Sequence, residues 1–176
     1  LARETLGETG ERRHAGGVMA QRPFKFLIVA DGTPESRPAA WFAALRAAHT
    51  GACVAILSVI EPHGFEHWLG VGEEIRREAR EAAEQHLEDL SAEVRGCGVE
   101  DTEFIIREGD LRAELQHLIE EDRDIRILVL GSAAGANPGP LVSAVARGGR
   151  GMFGQRAIPI AVVPGVLTRQ EIEEIA

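Results

Sequence analysis

Ile127-Leu-Val-Leu-Gly-Ser-Ala-Ala-Gly-Ala-Asn-Pro-Gly-Pro140 is the stretch on which the reading of this chain turns. Ile127 to Leu130 is a short apolar run without an internal charge, the pattern of a strand buried on both faces. The run ends at Gly131-Ser132, a loop of small residues follows, and Pro140 offers a favoured first position for a helix. Strand, glycine-containing loop and helix start, in that order, is how open α/β sheets build an anion site at their carboxyl edge.

Working outward, the same alternation repeats. Phe26 to Ala30 is a first strand, closed by Asp31-Gly32, with Thr33 as a helix cap and Pro34 at the first helical position. Trp41, Leu45 and Ala48 share one face of that helix, which Gly51 stops. Cys53 to Ile60 is a second strand. From about Gly72 to Arg95 a long helix places Ile75, Ala79, Ala83, His86/Leu87, Leu90 and Val94 on one stripe. Its opposite face is charged, the ordinary pattern of a solvated helix surface. Thr102 to Arg107 is a third strand with Phe104 and Ile106 on one face. Asp110 caps a helix carrying Leu111, Leu115 and Leu118/Ile119. A short helix from about Pro140 to Arg147, a glycine-rich stretch from Gly148 to Gly154 and a last strand from Ile158 to Val163 follow. Thr168-Arg-Gln-Glu171 is a capping box ahead of a short tail helix with Ile172 and Ile175. Such alternation calls for a parallel sheet covered on both sides.

At 176 residues and 44% hydrophobic, the chain suffices for one domain with a sizeable core. We expect residues 1–22 to be a disordered leader or expression remnant, 23–166 the domain and 167–176 a helical tail. A net charge of −9 argues against nucleic acid or an anionic membrane as partner. Lys25 is the sole lysine, so no phosphate-loop motif G-x-x-x-x-G-K-[ST] can be written. Cys53 and Cys97 lack metal or redox spacing and read as incidental thiols in a reducing compartment, which suggests the cytoplasm.

The glycine loop, the following helix and the closing Ile158-Pro-Ile-Ala-Val-Val-Pro164 strand resemble the universal stress protein family. So do Val29-Ala-Asp31 closing the first strand, Ser58-Val-Ile-Glu61 closing the second and Arg107-Glu-Gly-Asp110 opening the third helix. The resemblance covers about 24–164. It implies an open, Rossmann-like α/β fold, five parallel strands in the order 3-2-1-4-5 with helices on both faces. It also implies an adenine nucleotide, ATP or AMP, with Asp31 near the ribose, Val59 near the base and Gly131-Ser132 under the phosphates. Nucleotide-binding members carry Gly, two residues, Gly, nine residues, then Gly with Ser or Thr. Here Ala134 stands at the second glycine, with Gly135 one later. The final pair falls at Ala144 or Val145, with Ser143 just before. Pro138 and Pro140 remove two loop donors, and no Lys or Arg lies between Gly131 and Val145. The site therefore reads as degraded, with AMP-like or adenosine-like ligands easier than a triphosphate.

His63 and His67, beside Glu61 and Glu66, could be drawn as a metal pair, but Pro62 and Gly64 argue against the helix that such spacing needs. Trp68 reads as part of a loop or lid. His86 and His117 read as structural. A phospho-acceptor role for Asp31 lacks its lysine, and Ser132 has no G-x-S-x-G elbow or evident histidine. The resulting expectation is a non-enzymatic stress-tolerance factor, the alternative being a nucleotide-hydrolysing or nucleotide-transferring enzyme of the same fold. The apolar last strand, as a sheet edge, together with the resemblance, implies a homodimer through that strand, with the tail helix packing across the partner.

Overall fold

The computed structural model describes residues 23–62, 72–148 and 154–176. The expected leader 1–22, His63, Glu66, His67 and Trp68 lie outside the described residues. Strands β1 (Lys25–Val29), β2 (Cys53–Ile60), β3 (Thr102–Glu108), β4 (Ile125–Ser132) and β5 (Ile160–Pro164) alternate with helices α1 (Ser36–Thr50), α2 (Gly72–Arg95), α3 (Leu111–Glu121), α4 (Pro140–Gly148) and α5 (Arg169–Ile175). The strands form one parallel sheet in the order β3-β2-β1-β4-β5. That is the order and class expected from the sequence.

The three central strands are mostly apolar, because each is covered on both faces. One core lies under α1, α2 and α5, with Phe26, Ile28, Ile56, Leu87, Leu90, Val94, Val129 and Ile172 buried. The other lies under α3 and α4, with Leu27, Leu57, Leu115, Leu118, Ile119, Leu128 and Leu141.

Helix α1 corrects the expected packing face. Its buried residues are small: Ser36, Pro38, Ala39, Ala40, Ala43, Ala44 and Ala47. Trp41 and Leu45 are only half-buried and Ala48 is exposed. Alanines let the helix axis approach the sheet closely, which displaces the large side chains to its margins. There the Trp41 indole donates to Glu93 at 2.8 Å, and Arg37 pairs with the same carboxylate at 3.2 Å, tying α1 to α2.

Ile75 is likewise not a core residue and is 42% exposed. At 1.5 Å per residue, a helix as long as α2 spans roughly 36 Å, against roughly 26 Å for β2 at 3.3 Å per residue. Its buried positions begin at Ala83, so the first turns overhang the sheet. Phe104 is 48% exposed because β3 is an edge strand.

The tail helix keeps its capping box: the Thr168 hydroxyl accepts from the Glu171 N–H, and the Glu171 carboxylate accepts from the Thr168 N–H. Ile172 is fully buried in the chain's own core and Arg46 donates to the Ala176 carbonyl at 2.8 Å. Ile172 is therefore spent on α1 and is not available to a partner, whereas Ile175 is exposed.

At the amino edge of the sheet, the Lys25 amine donates to Asp122 at 2.7 Å and also pairs with Glu103. Burial opposes the Lys25 charge, but the two carboxylates outweigh it and hold the amine above its ordinary value. Burial likewise pushes the Asp122 carboxyl up, yet Lys25 and the Asp124 and Ile125 N–H groups bring it below its usual range. The contribution of Asp122 is thus present above the unfolded carboxyl value of about 3.9 and is lost as pH falls through the lower folded value. That of Lys25 is complete below the unfolded amine value of about 10.4 and is lost as pH rises through the higher folded value. We expect Lys25→Met to cost on the order of 1 kcal/mol at neutral pH and to flatten both limbs. Urea unfolding across pH checks this, and unchanged limbs would discount the pair.

Candidate functional site

Because β1 and β4 are neighbours while their following helices cover opposite faces, the sheet has its switch point between them. A ligand crevice is expected at the carboxyl ends there. A crevice of about 90 Å3 occupies that position, lined by Val29, Asp31, Thr33, Glu35, Ser36, Leu130, Gly131, Ala133 and Pro138 to Val142. Asp31 and Gly131 thus flank one site, as the strand order requires.

The β1–α1 turn shapes one wall. Asp31 Oδ1 accepts from the Thr33 N–H at 3.0 Å and from the Thr33 hydroxyl at 2.7 Å. Thr33 belongs to the turn and does not cap α1 as expected, because the helix begins three residues later. The helix starts at Ser36, and Glu35, the residue before it, makes no side-chain cap. The Ser36 hydroxyl donates to the Thr33 carbonyl at 2.6 Å, which locks the turn from the helix side.

The β4–α4 loop is the opposite wall. It closes on itself through the Ala133 N–H, which donates to the Pro138 carbonyl at 3.3 Å. Gly135 and Gly139 take positive φ, 96° and 103°, which a side chain would disfavour. Gly131 has a different reason to be glycine. A Cβ there would stand 2.1 Å from the Glu35 carbonyl oxygen and 2.5 Å from its carbon. Gly165, just past β5, is similarly covered: a Cβ would meet Glu35 Cγ at 2.5 Å and the Ser132 carbonyl at 3.0 Å. Glu35 is thus laid across the ends of β4 and β5.

The other expected site residues are not among those that line this crevice. The Ser132 hydroxyl donates to the Ala133 carbonyl at 3.3 Å. Gly135 is on the open side of the loop, with nothing near its Cα that a Cβ would touch. Ser143 sits in the first turn of α4, its N–H bonded to the Gly139 carbonyl at 3.0 Å. Val59 is inside β2, paired in register with Arg107 of β3. Glu35, Ser36 and Gly139 are lining residues that the sequence reading did not single out, and Thr33, read there as a cap, lines the crevice as well. The only local signal for them was the acidic, hydroxyl-rich run Asp31-Gly-Thr-Pro-Glu-Ser36.

Electrostatically the lining is acidic, with Asp31 and Glu35 and, among the described residues, no Lys or Arg. The basic side chains nearby face a separate hollow of about 310 Å3 behind the turn, formed with Gly32, Arg37, His86 and Asp89. His86 packs on Gly32, where a Cβ would fall 2.5 Å from its Cε1, in keeping with a structural histidine. His117, also expected to be structural, is instead mainly exposed, 3.8 Å from Glu114. Among the described residues no cluster of His, Cys, Asp and Glu is arranged to hold a metal ion. Burial pushes both thiols, Cys53 and Cys97, above their ordinary value, which disfavours the reactive thiolate. No helix among the described residues is long and apolar enough to cross a membrane.

The motifs after β2 and before α3 meet at the same edge of the sheet. The Leu111 N–H donates to Glu61 at 3.2 Å and the Ala113 N–H to Asp110 at 2.9 Å, so two carboxylates from separate segments cap α3. The Gly109 N–H, bonded to the Ile60 carbonyl at 3.0 Å, holds those segments together. Glu61 and Asp110, the last residues of these two motifs, therefore serve as helix caps.

A search of curated sequences gives no match. Solved structures similar to this chain include a protein of the universal stress protein family from Burkholderia pseudomallei, 18% identical, covering 82% of this chain and 98% of that one at a TM-score of 0.62. A universal stress protein in complex with cAMP is 18% identical, covering 82% and 98% at a TM-score of 0.55. One from Archaeoglobus fulgidus in complex with dAMP is 15% identical, covering 81% and 98% at 0.52. At these identities the likeness speaks to fold. The sequence model of the universal stress protein family matches residues 24–147, most of the chain and both walls of the crevice. This chain therefore belongs to the universal stress protein family.

Proposed function

We propose that this chain is a non-enzymatic stress-tolerance factor whose carboxyl-edge crevice takes an adenine nucleoside or its monophosphate. The carrying observation is the crevice flanked by Asp31 and Gly131 at the switch point. Thr33 engages one oxygen of the Asp31 carboxylate, which leaves the other to accept from a ribose hydroxyl. The enclosed volume of about 90 Å3 is well under the roughly 300–1,000 Å3 of pockets that engulf a ligand, so the base and any phosphate would extend along the open edge. Two of the similar structures hold cAMP and dAMP, each with one phosphate group. A triphosphate is disfavoured because Pro138 and Pro140 withdraw donors and no Lys or Arg among the described residues lines the site. Calorimetry with adenosine, AMP and ATP tests the reading. We expect binding of the first two and about a tenfold loss in Asp31→Ala, the scale of one charge-assisted hydrogen bond. Absence of binding would sink it. Magnesium-dependent phosphate release from ATP that disappears in Asp31→Ala would favour the enzyme alternative.

We also propose a homodimer through β5, acting in the cytoplasm, whose reducing conditions suit the free thiols of Cys53 and Cys97. β5 is an edge strand, and Val162 is 43% exposed on it. An apolar edge invites pairing with a second copy. Val162→Glu is expected to convert the dimer to monomer at micromolar concentration by light scattering. A dimer that survives the substitution would reject this interface.

A further inference from the structure

We propose that Glu35 sets the charge of ligand this crevice accepts, selecting an uncharged adenine nucleoside over its phosphorylated forms. The inference rests on the nucleoside-site reading above. Its basis is the position of Glu35 on Gly131 and Gly165. The two glycines have no room for a Cβ because the Glu35 carbonyl and the start of its side chain already fill that space. The residue is half-buried and lines the crevice, yet among the described residues no hydrogen bond or ion pair neutralises its carboxylate. A phosphate over Gly131, where the glycine loop would otherwise offer backbone donors, would meet the Glu35 carbonyl there, with the acidic side chain leading away toward Gly165 on the same lining.

The surroundings strengthen the repulsion. Asp31 is a second carboxylate on the lining. Helix α4 opens with Pro140, which has no N–H to offer an anion. Arg37, the nearest arginine in sequence, is engaged with Glu93 and faces the hollow behind the turn. A phosphate monoester carries nearly two negative charges at neutral pH. Two such charges facing one carboxylate across a separation of about 6 Å of water would lose roughly tenfold in affinity. Glu35 also packs through its backbone and its first side-chain carbons, so its charge and its shape are separable. Glu35→Gln removes the first and keeps the second.

The test is calorimetry of wild type and Glu35→Gln with adenosine and AMP at low and high salt, with thermal melts to confirm that both are folded. We expect wild type to prefer adenosine, and Glu35→Gln to shift the ratio of AMP to adenosine affinity toward AMP by roughly tenfold. High salt should narrow the wild-type preference without the substitution. Equal effects on both ligands, or a wild type that binds AMP as tightly as adenosine, would overturn the role of Glu35 and leave the nucleoside site standing. Failure of both proteins to bind either ligand would overturn the site itself and the inference with it. If Glu35→Gln melts much lower than wild type, Glu35→Met, apolar and of similar length, replaces it with the same expected preference for AMP.

Discussion

Gly131→Ala is expected to destabilise this protein by about 3 kcal/mol, the upper range of overpacking, and to lower its melting temperature by roughly 6–12 °C. The new methyl would stand 2.1 Å from the Glu35 carbonyl oxygen, and this is backbone, which cannot rotate aside as a side-chain tip could. Relief requires the β1–α1 turn to lift. That turn is held by the Thr33 and Ser36 hydrogen bonds and by the alanine face of α1 on the sheet. Gly135→Ala is the control on the same loop. There φ is 96° but nothing lies in the path of the Cβ, so only backbone strain of about 1 kcal/mol is at stake. Differential scanning calorimetry of the two variants separates the explanations. Equal melting temperatures would mean that Gly131 is not pressed by Glu35 and serves the ligand alone.

Arg156→Ala should cost about 2 kcal/mol, through loss of several charge-assisted hydrogen bonds at a partly exposed site. Its guanidinium donates to four carbonyls, those of Ile119 at 2.6 Å, Asp122 at 2.7 Å, Arg123 at 2.9 Å and Ile125 at 2.5 Å. These groups belong to the last turn of α3 and the link into β4. Helix C-termini leave carbonyls without intrahelical partners, and their partial negative charge favours a cation. The last turn of α3 has no basic residue of its own, so Arg156, from the segment ahead of β5, supplies the charge. The planar fork of arginine meets several acceptors at once, whereas lysine is a point charge on a flexible stem. Arg156→Lys should therefore recover less than half of the loss. Urea midpoints at constant slope give the measurement. Full recovery by lysine would show that charge alone matters, not the fork.

What could be read from the sequence has a common physical character: it depends on groups within a few residues of one another. Asp110 and Thr168 cap α3 and α5 as expected, since a cap joins a side chain to an N–H two or three residues away. The runs around Leu27 and Val129 could be read as strands buried on both faces because such burial removes alternation. Strand order followed from the family resemblance, and with it the meeting of Asp31 and Gly131.

Tertiary structure alone decided the rest. Phe104 and Ile75 look like core residues by periodicity, but an edge strand and an overhanging helix have no layer to cover them. Thr33 looks like a cap, but the helix starts three residues beyond it, at Ser36. Gly131 reads as a phosphate glycine, yet the Glu35 backbone rests on it. Arg156 carries no local signal, and its role exists only because the chain returns past the end of α3. Local hydrogen bonds and burial periodicity are properties of short segments. Close approaches between distant segments are properties of how the layers stack, and in this protein those approaches shape the crevice.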